Sequence, residues 1–345
     1  MLNIISRQID NAEPSAVRKV GRNLVEGMKS IGYPFVLNKA LDSCELLWIH
    51  DDYRALIGLE RLDPQIKLVI GPNLFVMPRD IPRAIKIPER TIYLHPSLWA
   101  ANAWKLMGYN RSKLDYWPVG IDTRDFPKRP DRTSGLDQVL FYYKDRDPPG
   151  ARGAETIEAL LQNRKIPYAR INYGHYRQED FLRQVSRSKY AIWYGRQESQ
   201  GLALQETLAM GCPIIVIEVS KIGDYNGGGY RLTPRELAIP ASSAPYFDDR
   251  CGLKLKAISE LDTAIDKMEK EYSAYDPKSF IAENLSLEMS ARNLLSKFGV
   301  QWPQGSKATM PESADFKPFV PHIAWVITAL ELRFRQRGIR GLLSR

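Results

Sequence analysis

Short apolar runs alternate with amphipathic stretches of helical period from end to end of this chain, and no other feature limits its possible folds so severely. A run that is apolar without interruption is a strand buried on both faces, and such strands belong to parallel sheets whose neighbours are reached through crossover helices. The expected class is therefore α/β. In the first half the runs predict strands at 2–6, 35–38, 46–50, 67–70, 91–94 and 114–118. Val17, Val20, Leu24, Met28 and Ile31 recur at helical spacing and predict a helix over about 15–31, opened by Pro14 and closed at Gly32.

A chain of 345 residues is long for one hydrophobic core, because cores stop growing near ~250 residues. Two domains are expected, and the sequence offers a place to divide them. Residues 122–135 are rich in Pro, Asp and Arg, with Pro127 and Pro130 unsuited to helix or strand interiors. The expected organisation is a first domain over 1–122, a linker over 123–135, a second domain over 136–300, and a basic tail over 301–345 that returns to the first domain. The second domain restarts as a strand at Gln138-Val-Leu-Phe-Tyr-Tyr143.

The chain is 44% hydrophobic and 26% charged, ordinary globular values that exclude disordered, collagen-like and disulfide-scaffold classes. Cys44, Cys212 and Cys251 are odd in number and far apart, without the close pairs of zinc or redox motifs. They read as buried thiols of a reducing compartment. The start, MLNIISRQID, lacks a secretory pattern, and a cytoplasmic location is expected. Net charge is +9, from 49 Lys+Arg against 40 Asp+Glu, which favours an anionic partner. No basic run or DNA-binding motif spacing marks the middle of the chain, so nucleic acid is not the expected one.

The most informative stretch is 191–219, AIWYGRQESQGLALQETLAMGCPIIVIEV. It reads as strand, polar turn, helix from about Gly201, a stop at Gly211, and after Pro213 a second strand. Such a turn presents free backbone N–H groups and the positive end of a helix at the carboxyl edge of a parallel sheet, a place for an anion. Glu198 in the turn and Glu206 in the helix flank that place. Carboxylates beside an anion site suit the hydroxyls of a sugar and a ribose.

Glu198-Ser-Gln-Gly-Leu-Ala-Leu-Gln-Glu206, followed by Ala209-Met-Gly-Cys-Pro213, resembles the Glu-x7-Glu signature of retaining glycosyltransferases of the group 1 (family 4) type. Tyr93-Leu-His-Pro-Ser97, Tyr116-Trp-Pro-Val-Gly-Ile-Asp122, and Gly174 with Gln178-Glu-Asp-Phe181 resemble further segments of that family in the same order. The resemblance implies two Rossmann-like domains facing across a cleft, the GT-B fold, with a nucleotide diphosphate sugar as donor. It also implies that Glu198 contacts the donor sugar, Gly201 and Leu202 offer N–H groups to sugar or diphosphate, and Glu206 holds the ribose, with Ser199, Gly174 and His175 also on the donor side. Lys144 and Arg152 take the place of the family's diphosphate-binding cations, although Lys and Arg are exchanged and Tyr143 stands where the family has Gly.

The first half departs further from the family. Asp10-Asn-Ala-Glu-Pro14 replaces its Gly-rich loop and Gly71-Pro-Asn73 its acceptor-side His. His50, Asn73 and His95, at strand ends, are the candidate acceptor-side residues, while Asp51 and Ser97 occupy similar positions. Of the seven tryptophans, Trp48, Trp117 and Trp193 are expected in the core, and Trp99 and Trp104 share one short helix. Neither a cofactor nor an obligatory metal is expected. The acceptor is expected to be a glycan or lipid-linked hydroxyl. An apolar stretch, 319–330, precedes Arg333, Arg335, Arg337, Arg340 and Arg345; twelve residues cannot cross a bilayer, which needs ~20, but a peripheral contact with anionic lipid fits. A GT-B-fold epimerase or phosphorylase, or an inactive nucleotide-sugar binder, remain alternatives at this point.

Overall fold

The computed structural model describes residues 1–11, 15–130, 136–144, 152–224, 231–306 and 317–322. They form two units: Met1–Gly120 with the described residues from Leu287 onward, and Ile121–Ser286. Unit 1 contains β1 (Leu2–Ile5), α1 (Ala16–Ser30), β2 (Phe35–Leu37), β3 (Leu46–Ile49), β4 (Lys67–Ile70), β5 (Ile92–His95), α2 (Leu98–Leu106) and β6 (Lys113–Tyr116). Unit 2 contains β7 (Gln138–Lys144), α3 (Gly153–Asn163), β8 (Tyr168–Asn172), α4 (Gln178–Arg187), β9 (Ser188–Gly195), α5 (Leu202–Ala209), β10 (Ile214–Ile217), α6 (Pro234–Leu237), β11 (Gly252–Leu255), α7 (Leu261–Glu271) and α8 (Pro277–Asn284). The last helix among the described residues, α9 (Leu287–Lys297), belongs to unit 1.

Each unit has one sheet, with every strand pair parallel: order β2-β1-β3-β4-β5-β6 in the first and β11-β10-β9-β7-β8 in the second. The first-half strands fall within about two residues of the apolar runs, and β1, β3 and β10 are buried along their whole length, as uninterrupted apolar runs require. In β7 the period of two is explicit: Leu140 and Tyr142 enter one core layer with Trp193, Leu204 and Leu208, and Val139 and Phe141 enter the other with Ile157, Ile192 and Ile265. Trp48, Trp117 and Trp193 are fully buried, and Trp104 nearly so.

The helix α1 begins where its cap requires. Ser15 accepts a hydrogen bond from Arg18 N, satisfying one of the orphan donors of the first turn. At its other end Tyr33 N donates to Met28 O across Gly32, which has φ +65°, the left-handed stop for which glycine is suited. Pro14 lies outside the described residues.

The second domain was expected to run to residue 300, but α9 packs on α1 instead. Gly27 makes this possible: a Cβ there would stand 2.4 Å from Leu287 O and 3.1 Å from Ala291 Cβ. Trp117 Nε1 donates to Ser290 O at 2.8 Å and Ser290 Oγ donates to Pro118 O at 2.9 Å. Helical period reveals a face to bury but not which partner will cover it. Farther on, Pro318 bridges Lys39 in antiparallel fashion, so the last described segment also belongs to unit 1. We expect Gly27→Ala to cost about 1–3 kcal/mol of stability, since the added methyl must separate two backbones. Urea unfolding measures it, and an unchanged midpoint would mean that α9 shifts freely.

The linker residues 123–130 lie on unit 2. Arg129 donates to Ser188 O and Lys189 O at 2.7 and 2.8 Å and to Gly211 O, placing a cation at the C-terminal end of α5. Residues 131–135 lie outside the described residues.

Candidate donor site in unit 2

Strand order locates the site before any side chain does. From β7 the chain goes to β8 on one side and returns to β9 on the other, so a crevice opens between the carboxyl ends of β7 and β9, where ligands of such sheets bind. Lys144 is the last residue of β7, and Gly195 the last of β9.

The two strand ends meet through a salt bridge. Lys144 Nζ lies 2.6 Å from Glu198 Oε1, with both side chains 10% exposed, and Arg196 N donates to Lys144 O at 3.1 Å. The ammonium also stands 4.1 Å from the centroid of the Tyr173 ring, a cation–π contact. Tyr173 is 40% exposed. Behind it, Tyr142 stacks on Trp193 at 3.7 Å and 7°, and its ring meets Tyr176 edge-on. Burial, reinforced by Tyr176 and Glu198, holds the Tyr142 phenol well above its usual range, so this wall is neutral.

Past Glu198 the turn enters α5 through Gly201, which has φ +79° and ψ +45° and offers no side chain to cap the helix. The first amides of α5, from Leu202 onward, therefore lack a capping side chain, an arrangement that attracts anions. Ser199 is exposed at the turn. Glu206, on the same helix, is 2% exposed and accepts a hydrogen bond from Gln178 Nε2 at 3.0 Å. Gln178 opens α4, just after the exposed loop holding Gly174, with φ +78°, and His175. Lys144 at the end of β7, Glu198 and Gly201 in the turn after β9, and Glu206 on α5 thus lie at the carboxyl edge of one sheet. Arg152 is exposed at the start of α3 with its Nε 3.6 Å from Glu155; residues 145–151, which join it to Lys144, lie outside the described residues. Among the described residues no cluster of three or more His, Cys, Asp or Glu is built to hold a metal ion.

The equivalent crevice of unit 1, between β1 and β3, is already filled. Asp51 accepts hydrogen bonds from Arg7 N at 2.7 Å and Gln8 N at 3.1 Å, so the amides that would face an anion have an internal carboxylate. The structure buries both His50 and His95, the candidate acceptor-side histidines. His50 is 0% exposed with Nε2 3.1 Å from Val17 O, because α1 covers the end of β3. His95 is 3% exposed, stacked on Tyr93 and tilted against Trp104. Asn73 is partly buried with Nδ2 3.4 Å from His50 Nε2, and Ser97 is buried at the start of α2.

Burial lowers the His50 imidazole below its usual range and holds that of His95 at about 3. The unfolded chain then binds a proton that the folded chain refuses, so stability rises with pH between about 3 and the ordinary value of 6.5 and is lost as pH falls through that window. In urea titrations across that window, His95→Phe is expected to depend on pH less steeply than the wild type. Parallel curves would mean that His95 is not a neutral core residue.

No protein-family model matches this sequence, and no curated protein does. Solved structures match its fold. A glycosyltransferase involved in avilamycin A biosynthesis, AviGT4, superposes with a TM-score of 0.53 at 11% identity, over 88% of this chain and 99% of that one. Sucrose-phosphate synthase from Thermosynechococcus elongatus gives 0.53 at 13% identity, over 86% and 98%. The lipopolysaccharide outer core galactosyltransferase WaaB gives 0.50 at 10%, over 86% and 99%.

Proposed function

From the GT-B fold shared with these structures, we propose that this chain is a glycosyltransferase whose unit 2 holds a nucleotide diphosphate sugar. The sugar passes to a hydroxyl of a glycan or lipid-linked acceptor, with retention at the anomeric carbon, in the synthesis of a cell-surface glycan or glycolipid. The observation that carries this reading is the Lys144–Glu198 pair of 2.6 Å at the crevice between β7 and β9. Without donor, each charge compensates the other and neither is stranded in the interior. When a diphosphate arrives, Lys144 exchanges its carboxylate for phosphate oxygens, assisted by the start of α5 and by Arg152, and Glu198 turns to the hydroxyls of the sugar. As the bond to the leaving group lengthens, the ammonium neutralises the charge growing on the diphosphate. Glu206 takes the ribose, and the loop of Gly174 and His175 takes the base.

A thermal-shift series of nucleoside diphosphates and nucleotide sugars tests the reading, because a ligand stabilises the fold according to its affinity and concentration. Release of nucleoside diphosphate that depends on acceptor identifies a transferase; donor interconversion without acceptor identifies an epimerase, and binding without turnover an inert protein. Glu198→Ala is expected to lower turnover more than affinity for the bare diphosphate. Equal losses would give Glu198 another role.

No helix among the described residues is long and apolar enough to cross a membrane. Residues 323–345, which hold most of the apolar stretch and all of the tail arginines, lie outside the described residues. Their composition supports a peripheral contact with anionic lipid, at about 1 kcal/mol per basic residue near the surface. Deleting residues 338–345 is expected to abolish salt-sensitive binding to anionic vesicles; equal binding to neutral vesicles would refute the contact.

A further inference from the structure

The turn that carries Glu198 is held at two points by a distant loop, and one carboxylate organises that loop. Glu198 N donates to Ser242 O at 2.8 Å, and Ser243 Oγ donates to Gly195 O at 3.2 Å. Ser243 is fully buried, and its hydroxyl also accepts from Val219 N at 3.3 Å. Behind these contacts stands Glu218, the residue after β10. Its Oε1 accepts from Ser243 N and, at 3.2 Å, from Val219 N. Its Oε2 accepts from Ser242 Oγ at 3.1 Å and lies 3.0 Å from Lys254 Nζ. Lys254, on β11, donates in turn to Ala244 O at 2.8 Å, and Ala244 N donates to Ser242 Oγ at 3.0 Å. Every group facing the Glu218 carboxylate in this set is a donor. A neutral amide in its place would turn an N–H2 group toward donors on one side.

We propose that Glu218 and Ser243 are positioning residues for Glu198: they fix the 242–244 loop, which fixes the backbone at Gly195 and Glu198 and so aims the Glu198 carboxylate. The proposal rests on the reading that Glu198 contacts the donor sugar. Its physical logic is that a turn outside the sheet, entering a helix through a left-handed glycine, has no ladder of its own to hold it. The strand ends β10 and β11 supply the rigidity that the turn lacks, and a site aimed in this way loses function when its support loosens, even with every contacting residue in place.

The test uses the full chain with Glu218→Gln, Ser243→Ala and Glu198→Ala, singly and with Glu198→Ala combined with each of the other two. Amide hydrogen exchange needs no ligand. Peptides covering 195–201 are expected to exchange faster in Glu218→Gln and Ser243→Ala, while the centre of β9 keeps its wild-type protection; unchanged exchange at 195–201 in both variants overturns the clamp. The second measurement is the ratio of affinities for UDP-glucose, ADP-glucose and GDP-glucose over UDP, ADP and GDP. Each clamp variant is expected to lower the ratio for the preferred nucleotide about tenfold, and to change it no further once Glu198 is alanine, as coupled neighbours do. A wild-type ratio in both clamp variants, or an equal further loss in the Glu198→Ala background, overturns the positioning role. If Glu198→Ala itself keeps the wild-type ratio, the sugar contact of Glu198 falls, and with it the aiming role of the clamp, whereas the exchange result still judges the clamp as structure.

Discussion

Lys144→Ala is expected to weaken nucleoside diphosphate binding roughly 10- to 150-fold, the equivalent of about 1.5–3 kcal/mol for a charge-assisted contact, while affinity for the nucleoside without phosphates stays near the wild-type value. The loss should shrink as salt is raised, because the missing term is an attraction between charges. This substitution also removes the ammonium from Glu198, which is 8% exposed. Removing one member of a buried pair costs more than removing both, about 3–5 kcal/mol where burial is complete, so Lys144→Ala is expected to melt below Lys144→Ala/Glu198→Ala. Calorimetric titration with UDP, ADP and GDP and with the corresponding nucleosides measures the first effect; thermal unfolding of the single and double variants measures the second. Equal losses for nucleoside and diphosphate would remove Lys144 from the phosphate, and a double variant less stable than the single would deny that the pair is electrostatically coupled.

Glu206→Ala is expected to act on the other end of the donor. The Glu206 carboxylate is 2% exposed and accepts from Gln178 Nε2 at 3.0 Å; on the proposed reading it also accepts from the ribose hydroxyls, and hydrogen bonds to a charged group contribute about 1.5–3 kcal/mol. Nucleoside and nucleoside diphosphate should therefore lose affinity alike, by roughly 10- to 150-fold. The telling comparison is with 2′-deoxy nucleotides. Wild-type protein should prefer the ribose form, and Glu206→Ala should lose most of that preference, because the discarded interaction is the one that read the hydroxyl. Undiminished preference in the variant would assign the ribose to another group.

Much of this candidate site is legible along the chain. Glu198, Gly201 and Glu206 fall within nine residues, on one strand, turn and helix whose punctuation at Gly201, Gly211 and Pro213 is local chemistry. The Tyr142–Trp193 stack and the approach of Tyr173 to Lys144 had no such signal, since they join strands through sheet register. The clamp had none either: Ser242, Ser243, Glu218 and Lys254 are ordinary polar residues until strand order brings them beside Gly195. Burial of His50 was equally hidden, because the residue lies at a strand end, as a cleft residue would, and only the packing of α1 covers it.

Reading along the chain is enough for the parallel α/β class, the first-half strands to within about two residues and the location of the Glu-bearing turn, because these follow from local period, caps and turn residues that act over a few positions; the partly exposed β8 and β11 carry no comparable apolar run. Tertiary structure alone decided that α9 joins the first unit through Gly27, that Asp51 fills the crevice of unit 1 while the crevice of unit 2 keeps a Lys–Glu pair, and that a carboxylate 20 residues beyond Glu198 steadies its turn. These depend on which surfaces meet at long separation in sequence. Helical and strand periods state how much surface must be buried, and only three-dimensional packing selects what buries it.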